Sequence, residues 1–304
     1  MSLFNAHRVS SMFAGSLVRC SSLPSSVAAQ NAFPPECCIG GIALGPQTYT
    51  FHRFTFFEAI DKAKELGCSV IEGSTCQKLS PDQPDVTFNH QAPPTVWAKT
   101  RIKLERTGVR MVAYGVVEPN NNEETNRKMF DFAKLMGVSI ITTEPEEVEQ
   151  GSFDLIEKLA NEYNIKIAVH NHPKQPDKPD YKYWDPNYVL ECVKGRDPRI
   201  GACADTGHWA RSGVNPIDAL KILEGRILIC HLKDLNKFGV HDGTEHDVPW
   251  GTGVCDMKGI LDELHRQHFS GMVSMEYEHN WMNSMPDLMK CVAFVREHGK
   301  DVCQ

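Results

Sequence analysis

Short apolar, β-branched runs alternate with segments of helical period from Ile39 to the end of the chain. The runs at 42–51, 69–73, 110–117, 139–143, 166–170, 201–205, 227–231 and 272–276 read as strands. Amphipathic helices are predicted at 56–66, 97–107, 123–136, 153–163, 186–193, 216–223, 257–268 and 286–298. The punctuation agrees with this alternation. Gly67, Gly108 and Gly137 each fall between a helix and the next strand, where a left-handed cap is needed. Pro186 and Pro216 suit first-turn positions, with Asp185 and Asn215 as N-caps. Strands separated by crossover helices imply a parallel sheet, and eight such units in about 260 residues match a closed (β/α)8 TIM barrel. An open doubly wound sheet is the alternative. It more often carries a glycine-rich phosphate loop after its first strand, where this chain has Phe51-His52-Arg53-Phe54.

Composition narrows the partners. The chain has 304 residues, 32 Lys and Arg against 39 Asp and Glu, and a formal charge of −7. A phosphate-tracking surface is therefore a poor expectation, and nucleic acid is not an expected partner. No run approaches the ~18 apolar residues that would span a bilayer, so no membrane segment is expected. The 11 cysteines include no C-x-x-C pair and read as buried thiols, with the adjacent Cys37 and Cys38 left open. Residues 1–38 form a separate region: up to Pro35 there is no Asp or Glu, and Ser is dense. They read as a presequence, with Val27-Ala28-Ala29 as a cleavage region, or as a disordered leader. A presequence over residues 1–29 implies export to the periplasm, and its absence implies the cytoplasm. The barrel domain is assigned to 39–304.

Catalytic groups of such barrels lie at the carboxyl ends of the strands. Five successive strands here end in metal-ligand residues: Glu144, then His170 and His172, then Asp205 and His208, then His231, then Glu276 with Glu278 beside it. Carboxylates and imidazoles gathered at one mouth need a compensating charge, and a divalent cation supplies it. The mixed oxygen and nitrogen donors suit Mn²⁺ first, with Mg²⁺, Co²⁺ or Zn²⁺ as alternatives. Lys233, two residues after His231, points the same way in an extended strand and is a candidate for stabilising an oxyanion or holding a substrate hydroxyl. His208 is a candidate for the substrate site or for the metal. Trp184, Trp209, Trp250 and Trp281 suit stacking on a substrate ring face or simple core packing, and Gln47, Tyr49 and Glu72 are weaker candidates for substrate hydroxyls.

Asp205-Thr206-Gly207-His208, His231-Leu232-Lys233-Asp234, the stretch Asp247-Val248-Pro249-Trp250-Gly251-Thr252-Gly253 and Glu276-Tyr277-Glu278 stand in an order that resembles the xylose-isomerase-like barrels. These are the sugar phosphate isomerase/epimerase family, related to the second apurinic-endonuclease family. The resemblance implies that Asp205, His231 and Glu276 bind a metal and that the loop at Asp247 closes over a small-molecule sugar substrate. It places Asp247 among the substrate-contacting residues, with a metal-ligand role in a multinuclear site as an alternative. Many members have Glu where this chain has His170 at the end of strand five. Glu144 is then assigned as the fourth ligand, with His170 as a further ligand or a base. Glu144, His170, His172 and Glu276 are the candidate acid and base groups. The implied reaction is proton abstraction next to a sugar carbonyl, leading to isomerisation or epimerisation. The alternatives are a lyase or hydrolase acting on 3-keto-glycosides, a non-catalytic sugar-binding barrel and an apurinic endonuclease. A homo-oligomer is compatible with this reading.

Overall fold

The structure is a computed structural model and describes residues 33–145 and 150–299. Eight parallel strands form its centre: β1 (Ile42–Pro46), β2 (Val70–Gly73), β3 (Arg110–Val117), β4 (Ile140–Thr143), β5 (Lys166–Val169), β6 (Ile200–Asp205), β7 (Ile227–Leu232) and β8 (Met272–Met275). They run in the order β1-β8-β7-β6-β5-β4-β3-β2, and a parallel bridge between Gln47 and Glu72 joins the two ends. The sheet is thus a closed barrel, and the open doubly wound alternative is set aside. Of the presequence or leader expected over residues 1–38, residues 1–32 lie outside the described residues. Cys37 is buried against the barrel floor, and the short strand Cys38–Ile39 pairs antiparallel with β1. Among the described residues no helix is long and apolar enough to cross a membrane.

The helices are α1 (Phe56–Glu65), α2 (Pro94–Thr107), α3 (Glu123–Met136), α4 (Gln150–Tyr163), α5 (Pro186–Val193), α6 (Thr206–Arg211), α7 (Pro216–Ile222), α8 (Met257–Arg266) and α9 (Met285–His298). Gly108 and Gly137 close α2 and α3 at φ of 68° and 78°, a region that a side chain would disfavour. Asp185 and Asn215 accept backbone N–H groups at the starts of α5 and α7. Three features depart from the sequence pattern. The first strand ends at Pro46, because the Gln47 side chain accepts the Tyr49 N–H at 2.6 Å and starts a 3-10 turn, Thr48–Phe51. A six-residue helix, α6, follows β6 directly. Two antiparallel pairs decorate the barrel, Lys78–Ser80 with Gln83–Thr87 and Asp234–Leu235 with Asp247–Val248.

Inside the barrel the two-residue period of the strands sorts side chains into layers. Val70, Ile140, Ala168, Cys203, Ile229 and Met272 pack as an apolar floor. Two residues further along the same strands stand Glu72, Thr142, His170, Asp205, His231 and Ser274, all buried. The chemistry therefore sits on a dry apolar base. Beyond β7 the Asp234 carboxylate accepts the N–H groups of Leu235, Gly251 and Gly253 at 2.9 Å and of Cys255 at 3.0 Å. Hydrogen bonds to a charged acceptor contribute about 1.5–3 kcal/mol each when no water replaces them. Asp234→Ala is expected to lower stability by about 2–3 kcal/mol and to open residues 249–255 to limited proteolysis. An unchanged cleavage pattern would show that this loop is held some other way.

Candidate active site

Asp205 ends β6 and caps α6. Its Oδ1 accepts the His208 N–H at 2.7 Å, which fixes the carboxylate and leaves Oδ2 to face His170, His208 and Lys233. The Asp-x-x-His spacing is thus a capping motif that also delivers two donors to one place. His170, Asp205, His208 and Glu276 offer ligand atoms that all lie within 4.8 Å of one another. Oδ2 of Asp205 is 3.6 Å from Nε2 of His170 and 3.6 Å from Nε2 of His208. Both ring nitrogens of His170 and Oδ2 of Asp205 are buried and accept or donate no hydrogen bond of good geometry. Buried polar atoms are normally satisfied, so an unpaired His170 Nε2 beside the Asp205 carboxylate and the other ligand atoms fits a site for a divalent cation.

Lys233 supplies the charge that is present. It is 1% exposed, and its ammonium lies 3.1 Å from Asp205 Oδ2, 3.0 Å from Glu276 Oε2 and 2.9 Å from Glu278 Oε2. Gly207 makes room for it, since a Cβ there would collide with the Lys233 stem. Burial works against the Lys233 ammonium, but the three carboxylates more than offset it and raise its pKa. Burial likewise opposes ionisation of Glu276, yet Lys233 and then His231 hold its carboxyl well below the usual range. His208 stands between Lys233, 3.0 Å from Nε2, and Arg211, 2.9 Å from Nδ1. Desolvation and these two cations push its pKa well down and keep it neutral, as a metal ligand requires.

The other expected residues divide into two groups. His231 is on the edge of the cluster, with Nδ1 3.0 Å from Glu276 Oε2 and 3.9 Å from Asp205 Oδ2, while Nε2 meets Glu72 at 2.7 Å. Burial opposes the Glu72 charge, but His231, Ser274 and Thr142 hold its carboxyl below the usual range. Glu144 stands in a second group with His170 and His172. Its carboxylate meets His172 Nδ1 at 2.8 Å and accepts the Tyr181 hydroxyl, and His170 Nδ1 is 3.8 Å away. Despite burial, these histidines hold the Glu144 carboxyl far below the usual range.

Asp247 lies outside both groups. It pairs with Arg211 at 2.8 Å and accepts the Glu278 N–H. Burial pushes its carboxyl up to about 7, even with Arg211 beside it. Trp184 is half-buried under the Lys174 ammonium, 4.8 Å from its ring centroid, while Trp209 and Trp250 belong to the core. Gln47 donates to the Gly115 carbonyl at 3.0 Å and is satisfied by backbone. Sequence reasoning missed Arg211 and Tyr181. Arg211 follows His208 by three on a helix and could have been found from that spacing; nothing in the sequence ties Tyr181 to Glu144.

Together the fold and the mouth define a class: (β/α)8 barrels with a His- and carboxylate-lined centre at the carboxyl ends of their strands. The chain belongs to the xylose isomerase-like TIM barrel family, whose model matches residues 60–297. Among solved structures it is similar to an uncharacterised protein from Parabacteroides distasonis. The two are 34% identical at a TM-score of 0.64, over 84% of this chain and 98% of that one. It shares its fold with a D-tagatose 3-epimerase-like protein, at 18% identity and TM-score 0.64 over 84% and 96% of the two chains. A D-allulose 3-epimerase from Methylomonas sp. is similar at 16% identity and TM-score 0.62, over 88% and 99%. No curated protein matches the chain.

Proposed function

We propose that this protein is a divalent-metal-dependent sugar isomerase or epimerase that removes a proton next to a carbonyl. The observation that carries this reading is the convergence of His170, Asp205, His208 and Glu276 at the mouth of a xylose isomerase-like barrel, with both ring nitrogens of buried His170 left without a hydrogen bond. The epimerase names of two proteins that share the fold point the same way. These four residues would hold the ion, with His231 bordering both carboxylates. A cation bound there polarises a carbonyl and its neighbouring hydroxyl and so acidifies the carbon between them. A donor set of imidazoles and two carboxylates suits Mn²⁺, Co²⁺ or Zn²⁺.

The proton belongs to the Glu144–His172 pair. His172 is 41% exposed at its side chain, so substrate reaches it, whereas Glu144 is largely covered. Glu144 accepts from Nδ1 and so turns the free Nε2 toward the mouth as the base. Tyr181, which donates to Glu144 and accepts the His172 N–H at 2.7 Å, holds both in place. Lys233 and Arg211 balance the carboxylates and close the wall of the site.

Protein stripped with chelator and reloaded with Zn²⁺, Co²⁺ or Mn²⁺ is to be incubated in D₂O with free, phosphorylated and 3-keto sugars. Deuterium entering the carbon next to the carbonyl supports the proposal, whereas full proton retention with every metal and sugar refutes it. An unsaturated product would move the assignment to a lyase. His172→Ala is expected to keep its metal and lose about 10²–10⁴-fold in exchange rate. Equal rates would remove His172 from the chemistry.

A further inference from the structure

Glu72 is a carboxylate with no exposed surface, and it lies on β2 across the barrel lumen from β7. Such a group is costly to bury unless its oxygens are fully used. They are: Oε1 accepts from Thr142 Oγ at 2.5 Å, and Oε2 accepts from Ser274 Oγ at 2.6 Å and faces His231 Nε2 at 2.7 Å. Three strands other than its own are therefore tied to one side chain. The imidazole of His231 presents its other nitrogen, Nδ1, to Glu276 and Asp205. The two hydroxyls fix the carboxylate, and the carboxylate fixes the ring.

We propose that Glu72 is a positioning residue that holds the Nε2 proton of His231, so that the ring offers Nδ1 and not Nε2 to a divalent cation at the Asp205–Glu276 carboxylates. The inference rests on the metal-centre reading above. Carboxylate partners of this kind orient ligand imidazoles and raise their basicity, and their loss typically weakens metal binding about 10–100-fold. A carboxylate with a purely structural role would latch the strands together without fixing which nitrogen of His231 faces the cation.

The test uses full-length protein labelled with ¹⁵N at histidine, with the His231 signals assigned by their loss in His231→Gln. A hydrogen-bonded proton on Nε2 of His231 in metal-free wild type is expected, and it should persist when Zn²⁺ is added. Glu72→Gln should keep the wild-type circular dichroism and bind Zn²⁺ about 10-fold or more weakly by calorimetry. An unprotonated His231 Nε2, or a Zn²⁺ affinity of Glu72→Gln within twofold of wild type, overturns the proposal. Should Glu72→Gln not fold, the wild-type Nε2 proton alone decides, its presence supporting the role and its absence sinking it. Should the wild type bind no divalent ion, the metal-centre reading fails, and the same proton still decides whether Glu72 holds the ring.

Discussion

Glu276→Gln is expected to purify without bound divalent ion, with its affinity for Zn²⁺ or Co²⁺ reduced by more than about 100-fold, beyond what the loss of an outer partner costs. The side chain is 8% exposed and shares one oxygen between His231 and Lys233, at 3.0 Å each. Replacing it with an isosteric amide removes the negative charge with little change of volume, so packing on the apolar floor should survive. Metal analysis paired with circular dichroism separates the two effects. A folded Glu276→Gln protein that retains stoichiometric metal would place the centre elsewhere.

The second large effect belongs to Lys233. In Lys233→Met three carboxylates, those of Asp205, Glu276 and Glu278, lose their common cation inside the protein. Breaking a buried charge pair by removing one partner costs about 3–5 kcal/mol. In a barrel of this size that is a drop on the order of 10 °C in Tm for the metal-free protein. Zn²⁺ should raise the Tm of the variant more than that of wild type, since the ion then supplies the missing positive charge.

The pH dependence follows from the depressed carboxyls of Asp205 and Glu276. Their contribution to stability is present above the ordinary carboxylate range and is lost as pH falls through the lower values they hold in the fold. The variant lacks the lysine that depresses them, so the stabilities of the two proteins should converge in acid and separate toward neutral pH. Parallel curves from pH 3 to 8, or a wild-type Tm in the variant, would show that Lys233 does not carry this charge balance.

Eight strands, the helices between them and most of their caps were legible because period and punctuation are local properties. Glu123–Met136 and Pro186–Val193 have the predicted bounds. The first strand was overextended because the Gln47 side chain, competing for the Tyr49 N–H, ends it in a way that apolar patterning does not register. The short α6 escaped for a related reason: its signal is the Asp205 cap, which reads equally well as a ligand motif. The candidate site was legible as a set of residue types at strand ends. Which of them stand together was not. Reading along the chain placed Glu144 with Asp205, His231 and Glu276, whereas the structure puts Glu144 beside His170 and His172 and brings His208 to Asp205.

By itself the sequence determined that this is a (β/α)8 barrel with imidazoles and carboxylates at its mouth, because alternation of period and the polarity of strand ends are written residue by residue. Only the tertiary structure decided that Lys233 neutralises three carboxylates, that Arg211 pairs with Asp247, and that Glu72 reaches from β2 to His231. Barrel closure and the register of neighbouring strands fix those distances. They bring together side chains as far apart as Glu72 and His231, 159 positions, and Glu72 and Ser274, 202 positions, and no local pattern encodes such pairings.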